Sequence, residues 1–248
     1  MSFLFFAVLL FSISSQAQWE YNLSGDYRTY ESGLSLEAQA AYNSLLWGTK
    51  GGPTDWKYGF LRGGGDVAVH GKARVFAEIY PISILRLSVQ QSYTSRFYDV
   101  KPFDCKLYDC DGVVGRTTAL AQVVGAVGDF MGTLVYSQTN VTNTDDGKPL
   151  ALESENLALR NRGGLIESIT AFFGYKYEDQ TFGVVAMGSN VMGIKSKSDA
   201  QYIVYRIKMP DEIKYSILGG QYHSSFSKRD LSIIVGAEWS AGETLSLF

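Results

Sequence analysis

The chain has 248 residues and a formal net charge of −3, which argues against a general nucleic-acid role. Charged residues make up 19%, below the ~25% of ordinary soluble domains. Aromatic residues reach 14%, and glycine is abundant with 26 copies. Beyond the N-terminal segment, no run of ~18 apolar side chains offers a helical membrane span. If the protein enters a membrane, it does so as β-strands, and the composition suits a strand-rich wall with one lipid-facing side.

The N-terminal segment has the pattern of a secretory signal. Phe3–Phe11 carries no polar side chain, and Ser15-Gln16-Ala17 follows as a small-x-small cleavage pattern. This apolar run is too short to span a bilayer as a helix. The sequence therefore predicts a signal peptide over residues 1–18 and an exported mature chain. Residues 19–33 are either a lead-in or an extra strand, and residues 34–248 are predicted to form a single barrel domain.

Long stretches of two-residue hydrophobic alternation dominate the mature chain. Residues 66–79 place apolar side chains at odd positions and mostly polar ones at even positions, and residues 83–97 also alternate. Side chains in a strand point alternately to two faces, so each segment is predicted to be an amphipathic strand. Both segments reach the ~9–11 residues that cross a bilayer at a tilt. The predicted strands lie at about 34–47, 66–79, 83–97, 113–127, 130–142, 164–178, 181–194, 199–209, 213–226 and 229–241.

The connections between these ten strands alternate in length. Short ones, built of turn residues, fall at 80–82, 128–129, 179–180 and 210–212. Long ones fall at 48–65, 98–112 and 142–163, with a smaller one at 195–198. The glycine run Gly63–Gly65 reads as a flexible loop end. Alternating short and long connections are typical of periplasmic turns and extracellular loops, and an even strand number returns the C-terminus to the periplasm.

A signal-like segment, amphipathic strands joined in this way and the terminal Phe248 together resemble Gram-negative outer-membrane β-barrel proteins. The resemblance covers the whole mature chain and concerns the class, not one family. It implies an all-β fold, a closed antiparallel transmembrane β-barrel of about ten strands, or twelve if residues 19–30 and 243–248 also pair. It further implies an outer-membrane location, a monomer, and recognition of the C-terminal strand ending in Phe248 by the assembly machinery.

Membrane lipid and lipopolysaccharide are the partners expected of such a barrel. Basic side chains on short loops beside aromatic residues suit contact with lipopolysaccharide phosphates. The residues predicted to make this contact at the outer rim are Lys195, Lys197, Lys228 and Arg229.

Alternation alone does not decide which face meets lipid, because a soluble lipocalin-like barrel also alternates, with apolar side chains inside. Long strands, mixed charges on the polar faces and aromatic residues near strand ends favour lipid outside. Those aromatic residues include Trp47, Tyr80, Tyr177, Tyr202 and Trp239. The polar network predicted inside the lumen comprises His70, Lys72, Arg74, Glu78, Arg86 and Arg96. A ten-stranded barrel with such an interior has a narrow or plugged polar lumen.

The two cysteines, Cys105 and Cys110, lie close together within a predicted loop. In an exported protein this arrangement predicts a local structural disulfide. The rival interpretation is a metal site that also uses Asp104, Asp109 and Asp111. Two thiolates without a nearby histidine make a poor zinc set, so neither metal nor cofactor is predicted.

Catalysis has one candidate pair, His223 and Ser225. This His-x-Ser pattern resembles that of the lipid A deacylase barrels, in which the histidine activates the serine for attack on an ester. Alternation through residues 213–217 puts His223 on the apolar face, unless Gly219-Gly220 introduces a bulge. The first prediction of function is therefore a small pore or a structural surface protein. A lipid-cleaving hydrolase and a secreted soluble barrel that binds an apolar ligand are the alternatives.

Overall fold

The computed structural model describes residues 18–29, 33–49, 57–96, 105–108, 110, 112–143, 150–152, 157–159, 163–210, 212–225 and 230–242. Residues 1–17 of the predicted signal peptide and residues 243–248, with the terminal Phe248, lie outside this part of the chain. The described residues form fourteen β-strands. No helix in these ranges is long and apolar enough to cross a membrane.

The strands are β1 (Gln18–Arg28), β2 (Gly33–Gly48), β3 (Tyr58–Ala68), β4 (Lys72–Ile82), β5 (Leu85–Arg96), β6 (Gly112–Val127), β7 (Phe130–Asn143), β8 (Leu150–Leu152), β9 (Leu157–Leu159), β10 (Gly163–Tyr177), β11 (Gln180–Val191), β12 (Lys197–Lys208), β13 (Ile213–Ser224) and β14 (Asp230–Gly242).

Twelve of these strands form one closed antiparallel barrel. Sequential strands pair around it, β7 pairs with β10, and β1 pairs with β14 to close the ring. Strands β8 and β9 form a separate two-stranded hairpin. The predicted closed antiparallel barrel is confirmed, and its strand number is the twelve of the alternative rather than ten.

Two strands account for the difference in number. Residues 18–28, within the segment that is either a lead-in or a strand, form β1 and pair on both edges. The segment 66–79, predicted as one strand, is the end of β3, a turn at residues 69–71 and most of β4. Its alternation runs unbroken across the turn because Ala68 pairs directly with Lys72, and paired residues share a face. Gly71, at φ 81°, takes the left-handed conformation that closes a three-residue hairpin loop.

The glycine run Gly63–Gly65 lies in the middle of β3, so its interpretation as a loop end is wrong. Gly64 faces the lumen, where a Cβ atom would lie 2.3 Å from the Ala40 carbonyl oxygen and 2.9 Å from the Phe76 ring. Glycine is needed at this position because the neighbouring strand and the ring of Phe76 fill the space of a side chain.

The connections divide the barrel into two ends. The "turn end" carries residues 49–57, 83–84, 128–129, 178–179 and 209–212, and the "loop end" carries residues 29–32, 69–71, 97–111, 144–162, 192–196 and 225–229. The alternation of short and long is therefore not strict, because the tight turn at residues 69–71 lies at the loop end and the longer connection at residues 49–57, predicted among the loops as 48–65, lies at the turn end. The turn predicted at 80–82 is also wrong. Strand β4 continues through Pro81 with a register shift, and the chain turns at Ser83 and Ile84.

Apolar side chains cover most of the outside of the barrel, and polar side chains line much of the inside. Val75 is 62% exposed and Ile203 is 71% exposed on the outer face, whereas the inward Asp66 is 4% exposed. This arrangement is the reverse of a soluble lipocalin-like barrel. Trp47, Tyr177 and Trp239 lie outside as aromatic belts require, but Tyr80 and Tyr202 point inward and are 5% exposed, contrary to the prediction.

Candidate functional site

The lumen is the candidate functional site, and its β1–β5 side is a charged wall. Four cations and four carboxylates on these strands form ion pairs with one another. They are Arg62, Lys72, Arg74 and Arg86 with Glu20, Glu37, Asp66 and Glu78. All eight side chains point into the lumen. Strand pairing places them on one face of the sheet, because directly paired residues share a face. We call this set the charged wall.

The half of the charged wall nearer the turn end is centred on Arg62. Its guanidinium donates to Glu20 at 3.1 Å and to Glu78 at 3.2 Å. Glu78 also accepts hydrogen bonds from Arg86 and from the Tyr80 hydroxyl. The Glu78 side chain is only 2% exposed, so its charge depends on these three donors rather than on water.

The half nearer the loop end joins Arg74 and Lys72 to two carboxylates. Arg74 donates to Asp66 and, at 3.2 Å, to Glu37. Lys72 donates to the other Glu37 oxygen at 3.1 Å. The Phe76 ring lies between the two halves, with the Arg62 guanidinium 5.0 Å and that of Arg74 5.9 Å from its centroid. These cation–π contacts join the halves into one packed array.

The wall opposite, on β6, β7 and β10–β14, mixes apolar side chains with uncharged polar ones such as Thr118, Gln122 and Ser137 at middle depth, and we call it the apolar wall. Its inward positions at middle depth carry Leu120, Val135, Phe172, Val185, Val204, Leu218 and Ile234. Packing is looser on part of this side, because the inward Met187, away from either end of β11, is 38% exposed. Both walls contain buried inward side chains, such as Glu78 and Val204, and the lumen is more open around Met187 on the apolar wall.

A cap closes part of the loop end. Leu150, Leu157 and Leu159 of the β8–β9 hairpin are at most 1% exposed. They pack against the inward side chains Val114, Val141, Ile166 and Val191, so the hairpin lies inside the barrel mouth. The Ala158 amide donates to the Ser196 hydroxyl at 3.0 Å, which ties the hairpin to the β11–β12 connection.

Cys105 and Cys110 are joined by a disulfide, with their Cα atoms 5.6 Å apart. The bridged loop packs on the hairpin through Cys110 and Ala158, with Tyr108 beside them. The disulfide therefore belongs to the cap. Among the described residues no group of three His, Cys, Asp or Glu side chains gathers as metal ligands would.

The residues predicted for a lumen network divide between two places. Lys72, Arg74, Glu78 and Arg86 belong to the charged wall. Arg96 is inward and 5% exposed at the loop end of β5, and His70 lies in the β3–β4 turn. Arg62 and Glu20 also belong to this network but were not predicted, since they lie on β3 and β1. The even-numbered polar positions of residues 18–28 are the signal that would have found Glu20.

His223 and Ser225 lie at the loop end and point away from the lumen. The register between β12 and β13 is continuous through Gly219 and Gly220, so His223 shares the outer face with Asp199. His223 Nδ1 lies 3.2 Å from Asp199 Oδ1. The Ser225 hydroxyl accepts from the Lys197 amide at 2.9 Å and donates to the Lys195 and Lys197 carbonyl oxygens. His223 and Ser225 thus each have a different partner.

Polar residues extend this outer surface around the loop end. They form a "polar collar" of Gln138, Glu167, Asn190, Asp199, Gln201, Gln221 and His223 on β7 and β10–β13. Within it, the Tyr136 hydroxyl donates to Glu167 at 2.9 Å and the Gln138 amide donates at 3.1 Å. Below the collar, toward the turn end, the outer face of these strands is apolar.

No family model matches the chain, and no curated protein sequence does. Among solved structures, an outer membrane channel from Pseudomonas putida F1 is similar with 9% identity and a TM-score of 0.52, covering 91% of this chain and 95% of the channel. The NanC porin has 11% identity and a TM-score of 0.47, covering 88% and 98%. The translocator domain of the autotransporter NalP from Neisseria meningitidis has 10% identity and a TM-score of 0.43, covering 94% and 92%.

At these low sequence identities, the similarity to the solved structures concerns the fold alone. Together with the apolar exterior, it supports an outer-membrane location. The chain has the fold of Gram-negative outer-membrane β-barrel proteins, as the sequence predicts.

Proposed function

We propose that the protein is an outer-membrane channel with a narrow lumen for small solutes. The observation that carries this proposal is the exposure of the inward Met187, 38%, away from both ends of its strand on the apolar wall. Exposed side chains inside a closed barrel require space that water can enter. A purely structural barrel would instead be expected to fill its interior with packed side chains, as this chain does along its charged wall.

The cap supports a channel that is restricted at one end. Its leucines cover inward side chains at the loop end of β6, β7, β10 and β11, which belong to the apolar wall. By the pattern of this fold class, the turn end faces the periplasm and the loop end faces outward. The cap would then limit entry from outside. The polar collar lies at the same end, where lipopolysaccharide head groups would contact it, with Lys195 and Lys197 available for phosphates.

Current through planar lipid bilayers tests the proposal. The refolded native protein is expected to give small, resolved conductance steps. The double variant Cys105→Ser/Cys110→Ser is expected to assemble but to pass a several-fold larger mean current, since the disulfide loop packs on the hairpin. A disulfide closing so short a loop contributes roughly 2 kcal/mol to local stability.

Leu107→Ser is the matched control, because Leu107 lies in the same loop and is 65% exposed. Heat-modifiable gel migration verifies the folding of every variant. If the native protein and the double variant are both folded and neither passes current, the protein is not a channel.

A further inference from the structure

The lumen carries an excess of positive charge, although the chain as a whole has a net charge of −3. Among inward side chains that the structure describes, eleven are cationic and six are carboxylates. The cations are Arg28, Arg62, Lys72, Arg74, Arg86, Arg96, Arg116, Lys176, Arg206, Lys208 and Lys214. The carboxylates are Glu20, Asp26, Glu37, Asp66, Glu78 and Glu238. A lumen lined in this way attracts anions.

The charged wall does not supply this excess, because its four cations are matched by four carboxylates. Part of the excess lies instead at the turn end, on the side of the apolar wall. There Lys176 and Arg206 are exposed, and neither forms an ion pair with a carboxylate in the described part of the chain. Lys214 is paired with Glu238 at 3.4 Å, and Lys208 with the exposed Glu212 at 2.7 Å.

Strand register brings these cations together. Lys176 pairs with Thr181, Thr181 with Arg206, and Arg206 with Ser216, so four inward side chains form one row across β10–β13. Neighbouring strands are ~4.8 Å apart, which places Lys176 and Arg206 within reach of one small anion. The hydroxyls of Thr181 and Ser216 add two hydrogen-bond donors to the row.

An aromatic ring borders this row on its loop-end side. Gly174 and Gly183 are paired with each other, one inward position further from the turn end than Lys176 and Thr181. A Cβ atom at Gly174 would lie 2.5 Å from the Phe172 ring, and one at Gly183 would lie 2.6 Å from it. The two glycines therefore leave room for the ring to lie over the strands. Val204 and Leu218, paired on β12 and β13, continue the apolar surface.

We infer that Lys176, Arg206, Thr181 and Phe172 form a binding site for a small organic anion with an apolar body, such as an aromatic carboxylate. The cations and hydroxyls would hold the carboxylate, and the Phe172 ring with Val204 would contact the apolar body. The inference rests on the proposed channel and names the class of solute that the channel admits.

Reversal potentials in a KCl gradient and block by benzoate test the inference. The native channel is expected to prefer chloride over potassium. Benzoate is expected to block chloride current at lower concentration than acetate does, and benzylammonium is expected not to block. Arg206→Glu and Lys176→Glu should each weaken the anion preference. Each should also raise the half-blocking benzoate concentration by about tenfold, because each removes one charge-assisted hydrogen bond to the carboxylate. Phe172→Leu should weaken benzoate block and leave ion selectivity unchanged.

Gln180→Glu is the matched control, since Gln180 precedes Thr181 on β11 and lies at the same depth on the outer face. It should behave as the native channel. A cation-selective native channel, equal block by acetate and benzoate, or an unchanged Arg206→Glu channel would overturn the inference. Absence of current would overturn the channel instead. Calorimetric titration of benzoate into the purified barrel then tests the site alone. The native protein is expected to bind benzoate and Arg206→Glu is expected not to. Absence of binding to the native protein would contradict the site.

Discussion

Glu78→Leu is expected to lower the free energy of unfolding by about 3 kcal/mol. The substitution removes the carboxylate that Arg62, Arg86 and the Tyr80 hydroxyl share. Removing one partner of a buried ion pair leaves an uncompensated charge, which typically costs ~3–5 kcal/mol. The lower end of that range applies because Arg86 is 28% exposed and Arg62 retains Glu20.

Urea unfolding of the barrel in lipid vesicles, followed by gel migration, measures this loss. Glu212→Gln is the control, since its pair with Lys208 is exposed and such pairs contribute at most ~1 kcal/mol. The double variant Glu78→Leu/Arg86→Met should recover part of the stability because it removes the stranded charge. Equal stability of Glu78→Leu and the native protein would show that the charged wall does not hold the barrel together.

Leu87→Arg is expected to cost about 2–4 kcal/mol and to slow assembly. Leu87 is 42% exposed on the outer face and pairs with Ile79 and Ala121, so no polar side chain stands directly opposite. Ala121 lies six residues before Val127, where β6 ends at the turn end. Leu87 itself is the third residue of β5, so it lies ~5–15 Å from the turn end, within the lipid-facing band of the outer face.

Leu87→Ala separates the loss of an apolar side chain from the gain of a charge, and its effect should be well below that of the arginine. Ser88→Thr changes the neighbouring inward residue and should be mild. Folding yield into vesicles and urea midpoints compare the three variants. If arginine at position 87 were tolerated as well as alanine, the outer face of β5 would not meet lipid.

The parts of the fold that follow from alternation were predictable from the sequence. Strand β5 matches its prediction closely because Arg86, Ser88 and Gln90 point inward in strict alternation with Leu87 and Val89. The β3–β4 hairpin was not predictable in this way. A three-residue loop leaves the faces in phase, so alternation continues from Val67 to Ala73 as if the strand were unbroken.

Features that depend on tertiary packing also escaped prediction. Gly64 resembles a loop residue in sequence, and only the close approach of the Ala40 carbonyl oxygen and the Phe76 ring shows why a strand needs it. Leu150 and Leu157 lie in a segment without long alternation, and their burial depends on the barrel mouth that receives them. The candidate site was half predictable. Arg74 and Glu78 were visible, but Arg62 and Glu20 lie on strands that the sequence did not assign.

The packing of the two walls explains why the solute path is expected on one side only. Asp66 is 4% exposed and the Arg62 side chain 9% exposed on the charged wall, so little space remains there. Lys176 and Arg206, which form no ion pair with a carboxylate among the described residues, lie opposite and are exposed. We therefore expect the ion pairs of the charged wall to stabilise the barrel and the proposed solute path to follow the apolar wall.

Thiol modification of single-cysteine variants tests the water-accessible lumen most directly. Both native cysteines are held in the disulfide, so an introduced cysteine is the free thiol. The variants Met187→Cys and Arg206→Cys place it on the inner face, and Ala186→Cys and Tyr205→Cys place it on the outer face of the same strands. A water-soluble anionic thiosulfonate is expected to change the current at the two inner positions and to leave the two outer positions unmodified. Reaction at the outer positions, or no change in current at the inner ones, would contradict a lumen that conducts along this wall.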